Sequence, residues 1–114
     1  MYQSPTPPEA APSGPAPTLF EAIVTRRCIE ARYNGGDVVL APHVAFVRHG
    51  EIYTGAVTIE RDGKPPREEK VGIFKLDGLT GLRLAGRDFA PSEVFDSADA
   101  RFEGTLIAVE LQPA

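Results

Sequence analysis

The chain has 114 residues, 42% of them hydrophobic and 25% charged, which suits one globular domain of ordinary composition. Its 16 acidic and 12 basic side chains give a net charge of −4, which excludes strong nucleic-acid binding by net charge alone. Cys28 is the only cysteine, so an internal disulfide and a zinc site made of several thiolates are excluded. We expect a cytoplasmic protein, because the sequence shows no signal peptide, membrane span or cysteine pair.

Residues 1–17 differ from the rest of the chain. They hold six of the eleven prolines and a single charged side chain, Glu9. A segment with so few apolar side chains cannot bury enough surface to offset the entropy lost on ordering. The sequence therefore predicts a disordered Pro/Ala-rich arm over 1–17 and one folded domain over 18–114.

A short helix is predicted at the start of the folded domain. Thr18 and Glu21 have the spacing of a capping box, and apolar residues at positions 19, 20, 23 and 24 recur at helical spacing. The predicted helix runs from Leu19 to about Arg26. It is too short to be stable unless it packs against another element.

From Cys28 onward, apolar residues recur with a period of two, which predicts strands. Six strands are expected, at about 28–33, 37–49, 51–61, 68–76, 79–86 and 105–111. Turn signals separate the first five, at Asn34–Gly36, His49-Gly50, Asp62–Pro66 and Asp77-Gly78. Short strands with regularly spaced turns favour a small barrel or a sandwich.

The same alternation assigns side chains to faces of the sheet. Shared faces are expected for Ile29, Ala31 and Tyr33, for Val38, Leu40, Val44 and Phe46, and for Tyr53, Val57 and Ile59, with Thr54, Thr58 and Glu60 opposite the last set. Pro42 cannot donate to a ladder, so a bend, a bulge or an edge is expected there. In the polar segment 88–102 we expect Phe89, Val94 and Phe95 as apolar anchors and one helical turn after Pro91.

The order of these pieces resembles the WYL domain, a small bacterial sensory barrel found in transcription regulators. The likeness spans about residues 19–96 and is carried by Ile29 or Ala31 to Tyr33, Pro42, Ile52-Tyr53-Thr54 at the name-giving triplet, Phe74-Lys75-Leu76-Asp77, Phe89 and Phe95-Asp96. The resemblance implies a mainly β fold, in which a short N-terminal helix precedes a five- to six-stranded SH3-like or Sm-like barrel. It also implies a regulatory, ligand-sensing module that is not an enzyme.

The family's ligand surface uses arginines on the second and fourth strands. At the corresponding positions this sequence has Val38–Leu40, Gly72 and Gly78, and only Lys75 keeps a basic side chain. Lysine does not reproduce the bidentate phosphate recognition of arginine. The basic patch that the resemblance implies is therefore largely lost.

Six residues remain as candidate contacts for a small anionic ligand or a nucleic-acid fragment. Four could form an anion patch and two could offer a stacking surface for bases: Lys75, Arg48, Arg67 and Lys70, then Tyr53 and Tyr33. The structural alternative for the cations is a solvated strand face with cross-strand pairs to Glu68, Glu69 or Glu51. For the tyrosines it is packing in the core.

No catalytic motif, metal site or cofactor is expected. Cys28 has no local base to activate it, so a buried structural cysteine is expected. His43 and His49 are separated by about 20 Å of extended strand, at ~3.3 Å per residue, and cannot share one metal ion. The acidic residues of segment 88–103 lack the spacing of a calcium loop and are expected to be solvated.

Two functions follow from these observations. The first is a sensory barrel whose partner is a nucleotide or a short single-stranded nucleic acid. The alternative is a protein-interaction or oligomerisation module, in which strand edges or the proline-rich arm contact a protein partner or a second copy.

Overall fold

The computed structural model describes residues 14–109. Helix α1 (Pro15–Thr25) is followed by six strands: β1 (Arg27–Tyr33), β2 (Gly36–Arg48), β3 (Glu51–Arg61), β4 (Val71–Lys75), β5 (Thr80–Asp88) and β6 (Thr105–Ala108). Two 3₁₀ turns, Leu76–Gly78 and Ala100–Phe102, lie between them. All strand pairs are antiparallel. The prediction of a mainly β fold with one N-terminal helix is confirmed.

Helix α1 begins at Pro15, four residues before the predicted start, with Gly14 as its N-cap. Thr18 lies inside the helix and its hydroxyl donates to the Gly14 carbonyl, 3.0 Å away, so the predicted capping box at Thr18 is wrong. Prolines are tolerated in a first turn because the N–H groups there have no intrahelical partner. Residues 15–17, assigned to the arm by composition, are therefore helical, while 1–13 lie outside the described residues.

The strand order β4-β3-β2-β1-β5 requires the sheet to curl. In a flat sheet β4 and β5 would lie four spacings apart, about 19 Å at ~4.8 Å per spacing. Only residues 76–79 connect them, and three of these form a 3₁₀ turn that rises ~2.0 Å per residue. The two edges must therefore approach each other, which gives the sheet the shape of a small barrel.

Strand β2 changes partner at Pro42. It pairs with β1 through Gly36–Leu40 and with β6 through Val44–Phe46, and its register with β3 shifts between Pro42 and Val44. The predicted irregularity at Pro42 is confirmed as a bulge, because proline has no N–H to continue the ladder. His43 follows Pro42 at this change of partner, and its backbone carbonyl accepts the Val109 N–H at 2.7 Å.

The main core forms where α1 packs on the inner side of the curled sheet. It contains Leu19 and Ile23 of α1 with Ile29, Leu40 and Phe46 of the sheet, all fully buried. A smaller cluster uses alternate residues of the same strands: Cys28, Ala41, Val57 and Ala85. The alternation predicted for β1 therefore places Ile29 and Ala31 in the main core as expected.

Strand β3 departs from the predicted faces. Tyr53 packs against the main core, whereas Val57 and Ile59 lie in or against the smaller cluster. Thr54, expected on the opposite face, is fully buried, and its hydroxyl donates to the Val44 carbonyl at 2.8 Å. The register shifts between β2 and β3 break the simple period of two.

The segment after β5 also differs from expectation. Phe95 is buried and Phe89 packs against the core, but Val94 is 46% exposed and does not serve as an anchor. The helical turn lies at Ala100–Phe102 rather than after Pro91, and it brings the buried Phe102 over Gly55. Strand β4 begins at Val71, three residues after its predicted start.

Candidate functional site

The six predicted ligand contacts lie in three separate places. Arg48, Tyr53 and Lys75 meet at one end of strands β2, β3 and β4. Arg67 and Lys70 lie in the connection between β3 and β4, and Tyr33 lies at the end of β1. The six residues predicted from the sequence therefore do not form one binding surface.

Arg48, Tyr53, Lys75 and Glu51 form a paired cluster. The Arg48 guanidinium lies 5.6 Å from the Tyr53 ring centre and donates to the Arg101 carbonyl at 2.9 Å. Tyr53 is the cross-strand neighbour of Lys75, whose Nζ contacts a Glu51 carboxylate oxygen at 3.0 Å. This hydrogen bond to Glu51 raises the pKa of Lys75. Lys75 is thus already in an ion pair with Glu51, as the structural alternative for this lysine predicts.

The two tyrosines pack rather than present free faces. The Tyr33 ring meets Phe74 edge-on, with centroids 5.1 Å apart, and Tyr53 stacks on Phe46 with centroids 5.8 Å apart. Both tyrosines are half-buried against the main core. This arrangement matches the structural alternative for Tyr33 and Tyr53.

Lys70 lines a groove of about 620 Å³ beneath the connection between β3 and β4. The floor of this groove is formed by Thr58, Gly72 and Phe74. Its rim is charged and is formed by Arg61, Asp62, Lys64, Glu68 and Lys70 with Pro65 and Pro66 between them. The predicted Arg67 is exposed in the same connection but does not line the groove.

The groove exists because the chain leaves the β ladder after β3. Asp62 and Gly63 adopt left-handed backbone angles (φ 51° and 83°), and Arg61 and Lys64 bridge across this tight turn. Pro65 and Pro66 then follow, and neither has an N–H to pair with β3. The chain returns to the ladder only at Val71, opposite Val57. Residues 64–70 therefore form a wall beside the sheet, which we call the groove wall.

Three cations on the groove rim have no counter-ion within residues 14–109. The side chains of Arg61, Lys64 and Lys70 are exposed and make no ion pair or hydrogen bond there. Asp62 and Glu68 also line the rim, and the Asp62 carboxylate accepts the Asp37 N–H at 3.0 Å. The rim therefore carries three cations and two carboxylates, and an anion that enters the groove would meet cations that are not held in ion pairs within residues 14–109.

The floor of the groove is apolar and shaped by a glycine. A Cβ placed on Gly72 would lie 3.2 Å from the edge of the Phe74 ring. Glycine at this position therefore leaves room over the aromatic ring. An apolar floor beneath a cationic rim suits a ligand with a flat or apolar body and an anionic group.

A second polar arrangement links the fully buried His43 to the half-buried Ser92 and the exposed Glu69 of the groove wall. The His43 ring is fully buried and lies between Phe89 and Phe95, at centroid distances of 4.9 and 5.2 Å. Its Nδ1 lies 2.8 Å from the Ala41 carbonyl, and its Nε2 accepts the Ser92 N–H at 2.9 Å. Burial lowers the pKa of His43. The Ser92 hydroxyl contacts the Glu69 carboxylate in turn.

His43, Ser92 and Glu69, which we call the His43 latch, do not have the geometry of a nucleophilic triad. In a triad the imidazole accepts the serine hydroxyl proton. Here the imidazole accepts the Ser92 backbone N–H, and the hydroxyl is directed to Glu69. The sequence pattern argues against a metal site shared by His43 and His49 and makes Glu69 a candidate partner for nearby cations, but it does not indicate Ser92 or the contact between Ser92 and Glu69, because the three residues are distant in sequence.

Cys28 is fully buried, as expected. Burial raises the pKa of its thiol, Arg87 opposes this shift and Asp88 adds to it. A buried thiol with a raised pKa is a poor nucleophile. Within residues 14–109, no cluster of three or more His, Cys, Asp or Glu side chains is arranged to hold a metal ion.

Comparison with known proteins identifies no relative of this chain. No protein-family model, no curated protein and no solved structure matches it. In the part of the chain that the structure describes, no helix has the length and apolar character needed to cross a membrane.

Proposed function

We propose that the protein is a ligand-sensing barrel of the kind that the WYL resemblance implies, and that it binds a small anion with an apolar or aromatic body. The observation that carries this proposal is the groove, with Phe74 on its floor and three cations on its rim that have no ion-pair partner within residues 14–109. Of the predicted cations this proposal keeps Lys70, and it adds Lys64 and Arg61 in place of Lys75, Arg48 and Arg67.

The dimensions and charges of the groove favour a mononucleotide-sized ligand. Small-molecule sites typically have volumes of ~300–1,000 Å³, and the groove falls in this range at about 620 Å³. A phosphate would contact the lysines on the rim, while the apolar part of the ligand would lie against the floor formed by Thr58, Gly72 and Phe74. A longer single strand is less favoured, because the groove offers one aromatic ring and the whole chain is acidic.

A thermal-unfolding screen of the full chain at low salt tests this proposal, with mononucleotides, cyclic dinucleotides and short single-stranded oligonucleotides as probes. A ligand at 100 times its Kd adds about 2.7 kcal/mol of stability, which raises Tm by roughly 10 °C or more for a domain of this size. We expect a salt-sensitive shift with a mononucleotide or a cyclic dinucleotide. A flat panel would overturn the proposal.

Charge reversals locate the site. Lys64→Glu combined with Lys70→Glu should abolish the shift, because both lysines line the rim. Arg67→Glu is the matched control, since it makes the same change in the same connection outside the groove. A shift that survives the double variant, or that Arg67→Glu removes equally, contradicts binding in the groove.

The second candidate function is self-association through β6. Within residues 14–109, β4, β5 and β6 each pair on one side only, and charged residues occupy β4 (Lys75) and β5 (Arg83 and Arg87). Strand β6, Thr105–Ala108, carries no charge, and Leu106 on it is 51% exposed. Natural proteins usually protect such edges with charge. An uncharged edge can pair with a second copy about a two-fold axis without charge repulsion.

Sedimentation velocity over a concentration series tests this second candidate. We expect a concentration-dependent dimer in the native chain and a monomer in Leu106→Lys. Val94→Lys is the control, because Val94 is also exposed and apolar (46%) but lies outside the strands. A native chain that stays monomeric at high concentration, or a dimer that Leu106→Lys leaves intact, contradicts pairing through β6.

A further inference from the structure

The hydrogen-bond partners of the His43 ring determine which of its two nitrogens carries the proton. Nε2 of His43 accepts a hydrogen bond from the Ser92 backbone, so it carries no proton. Nδ1 lies 2.8 Å from the Ala41 carbonyl, which can only accept, so Nδ1 carries the proton. The ring is therefore a neutral imidazole in a single tautomer. A proton added at Nε2 would point at the Ser92 N–H, and two donors cannot share that contact.

Ser92 connects His43 to the groove wall through hydrogen bonds. Its hydroxyl donates to the Glu69 carboxylate and accepts the Val94 N–H at 3.2 Å. Glu69 lies between Glu68 and Lys70, and both of these residues line the groove. The groove wall otherwise has few attachments, since residues 65–70 belong to no strand. A displacement of Ser92 is thus transmitted to residues that contact a ligand.

We propose that the groove is regulated by protons: protonation of the buried His43 imidazole breaks its contact with the Ser92 amide and, through the Ser92 hydroxyl, releases Glu69 and the groove wall. This inference rests on the proposed function for its biological meaning. The coupling itself is a property of the ligand-free protein.

The charged surroundings of His43 decide the direction of the effect. Among the described residues, the charge that acts on the imidazole is that of Glu69, from the groove wall, and it favours protonation. The segment after β5 presents the uncharged rings of Phe89 and Phe95, and β3 presents Gly55 and Ala56 beside the bulge. Burial outweighs both the hydrogen bond to the Ala41 carbonyl and the charge of Glu69, which would raise the pKa, so the pKa of His43 is lowered. The latch is closed at neutral pH and opens on acidification.

Linkage gives the consequence for binding. An anion that contacts Lys70 while the latch is closed binds less tightly when His43 is protonated. By the same linkage, the bound anion disfavours protonation of His43. Ligand affinity in the groove therefore falls as pH drops through the folded-state pKa of His43, which lies below the usual value of about 6.5.

An NMR pH titration of the full ligand-free chain tests the coupling. We expect the amide resonances of Ser92 and of residues 64–70 to shift with one shared midpoint below about 6.5. His43→Gln should remove this shared transition, because glutamine offers an acceptor at the Nε2 position and does not titrate in this range. His49→Gln is the matched control, since His49 is the other histidine of the sequence and lies in the turn between β2 and β3. It should leave the transition unchanged.

Glu69→Ala separates the two halves of the latch, because alanine has no acceptor for the Ser92 hydroxyl, and it keeps the test decisive if His43→Gln does not fold. The Ser92 amide should still titrate in this variant, whereas the response of residues 64–70 at the same midpoint should decrease. If residues 64–70 never share the midpoint of Ser92, or if Glu69→Ala leaves their response intact, the coupling is refuted. Because the titration contains no ligand, a flat ligand screen would refute the proposed function without affecting this result.

Discussion

The paired cluster and the groove lie at opposite ends of the same β3–β4 hairpin, and both contain lysine close to an aromatic ring. In the paired cluster the ladder is continuous, so Tyr53 faces Lys75 and Glu51 reaches the ammonium group. At the groove the ladder stops at two prolines, and Lys64 and Lys70 have no counter-ion within the described residues. A continuous ladder brings opposite charges together, while its interruption leaves charge and space for a ligand.

The largest effect on stability is expected for a core substitution beneath the paired cluster. Phe102 is 2% exposed, its ring lies 5.6 Å from that of Phe46, and its neighbour Arg101 accepts the hydrogen bond from Arg48. Phe102→Ala should lower the free energy of unfolding by about 3–5 kcal/mol, because it leaves a cavity in the core. Urea denaturation measures the loss. Val94→Ala, at an exposed position, should cost little, and equal costs for the two variants would contradict this account.

The next largest effect is a loss of stability at mildly acidic pH. Since burial lowers the folded-state pKa of His43, the unfolded chain takes up this proton first as pH falls. The contribution of His43 to stability is therefore complete above about pH 6.5 and is lost as pH falls through the folded-state pKa, at about 1.4 kcal/mol per unit of depression. Urea midpoints at neutral and mildly acidic pH should show this loss in the native chain and in His49→Gln, but not in His43→Gln. Identical pH profiles for all three proteins would rule it out.

Restoring the ladder should remove the groove. Replacing Pro65 and Pro66 with alanine supplies two N–H groups, so the groove wall can approach β3. We expect a smaller ligand-induced rise in Tm, with a change in intrinsic stability of about 1 kcal/mol or less in either direction. Pro17→Ala, in the first turn of α1, serves as a control away from the groove and the His43 latch. An unchanged ligand response in the double variant would mean that the prolines do not hold the groove open.

The smallest effect is expected at Lys75. Its partner Glu51 is at the surface, and exposed ion pairs contribute little to stability. Lys75→Gln should shift the urea midpoint only slightly, high salt should remove the difference, and the ligand response should remain. Loss of the ligand response in Lys75→Gln would return the site to the surface that the sequence first indicated.

The strands and the bulge could be predicted because each depends on local pattern. The period of two located β1 to β3 closely, and Pro42 marked the irregularity by its missing N–H. The pairing of Lys75 with Glu51 was also foreseen as a cross-strand alternative. The groove was not, since its existence depends on where the chain rejoins β3 after Pro66. The His43 latch could not be predicted either, because burial of His43 depends on Phe89 and Phe95. Ser92 follows His43 by 49 residues, and Glu69 precedes Ser92 by 23.

The divided strand β2 also sets an order of assembly. Strands β2 and β3 are joined by the two-residue turn His49-Gly50, whereas Val44 pairs with Ala108 only after about sixty intervening residues have been brought back. Pairing across so long a loop is slow compared with hairpin formation. We therefore expect β6 to join the sheet last during folding and to be among the first elements to exchange its amide hydrogens from the native state.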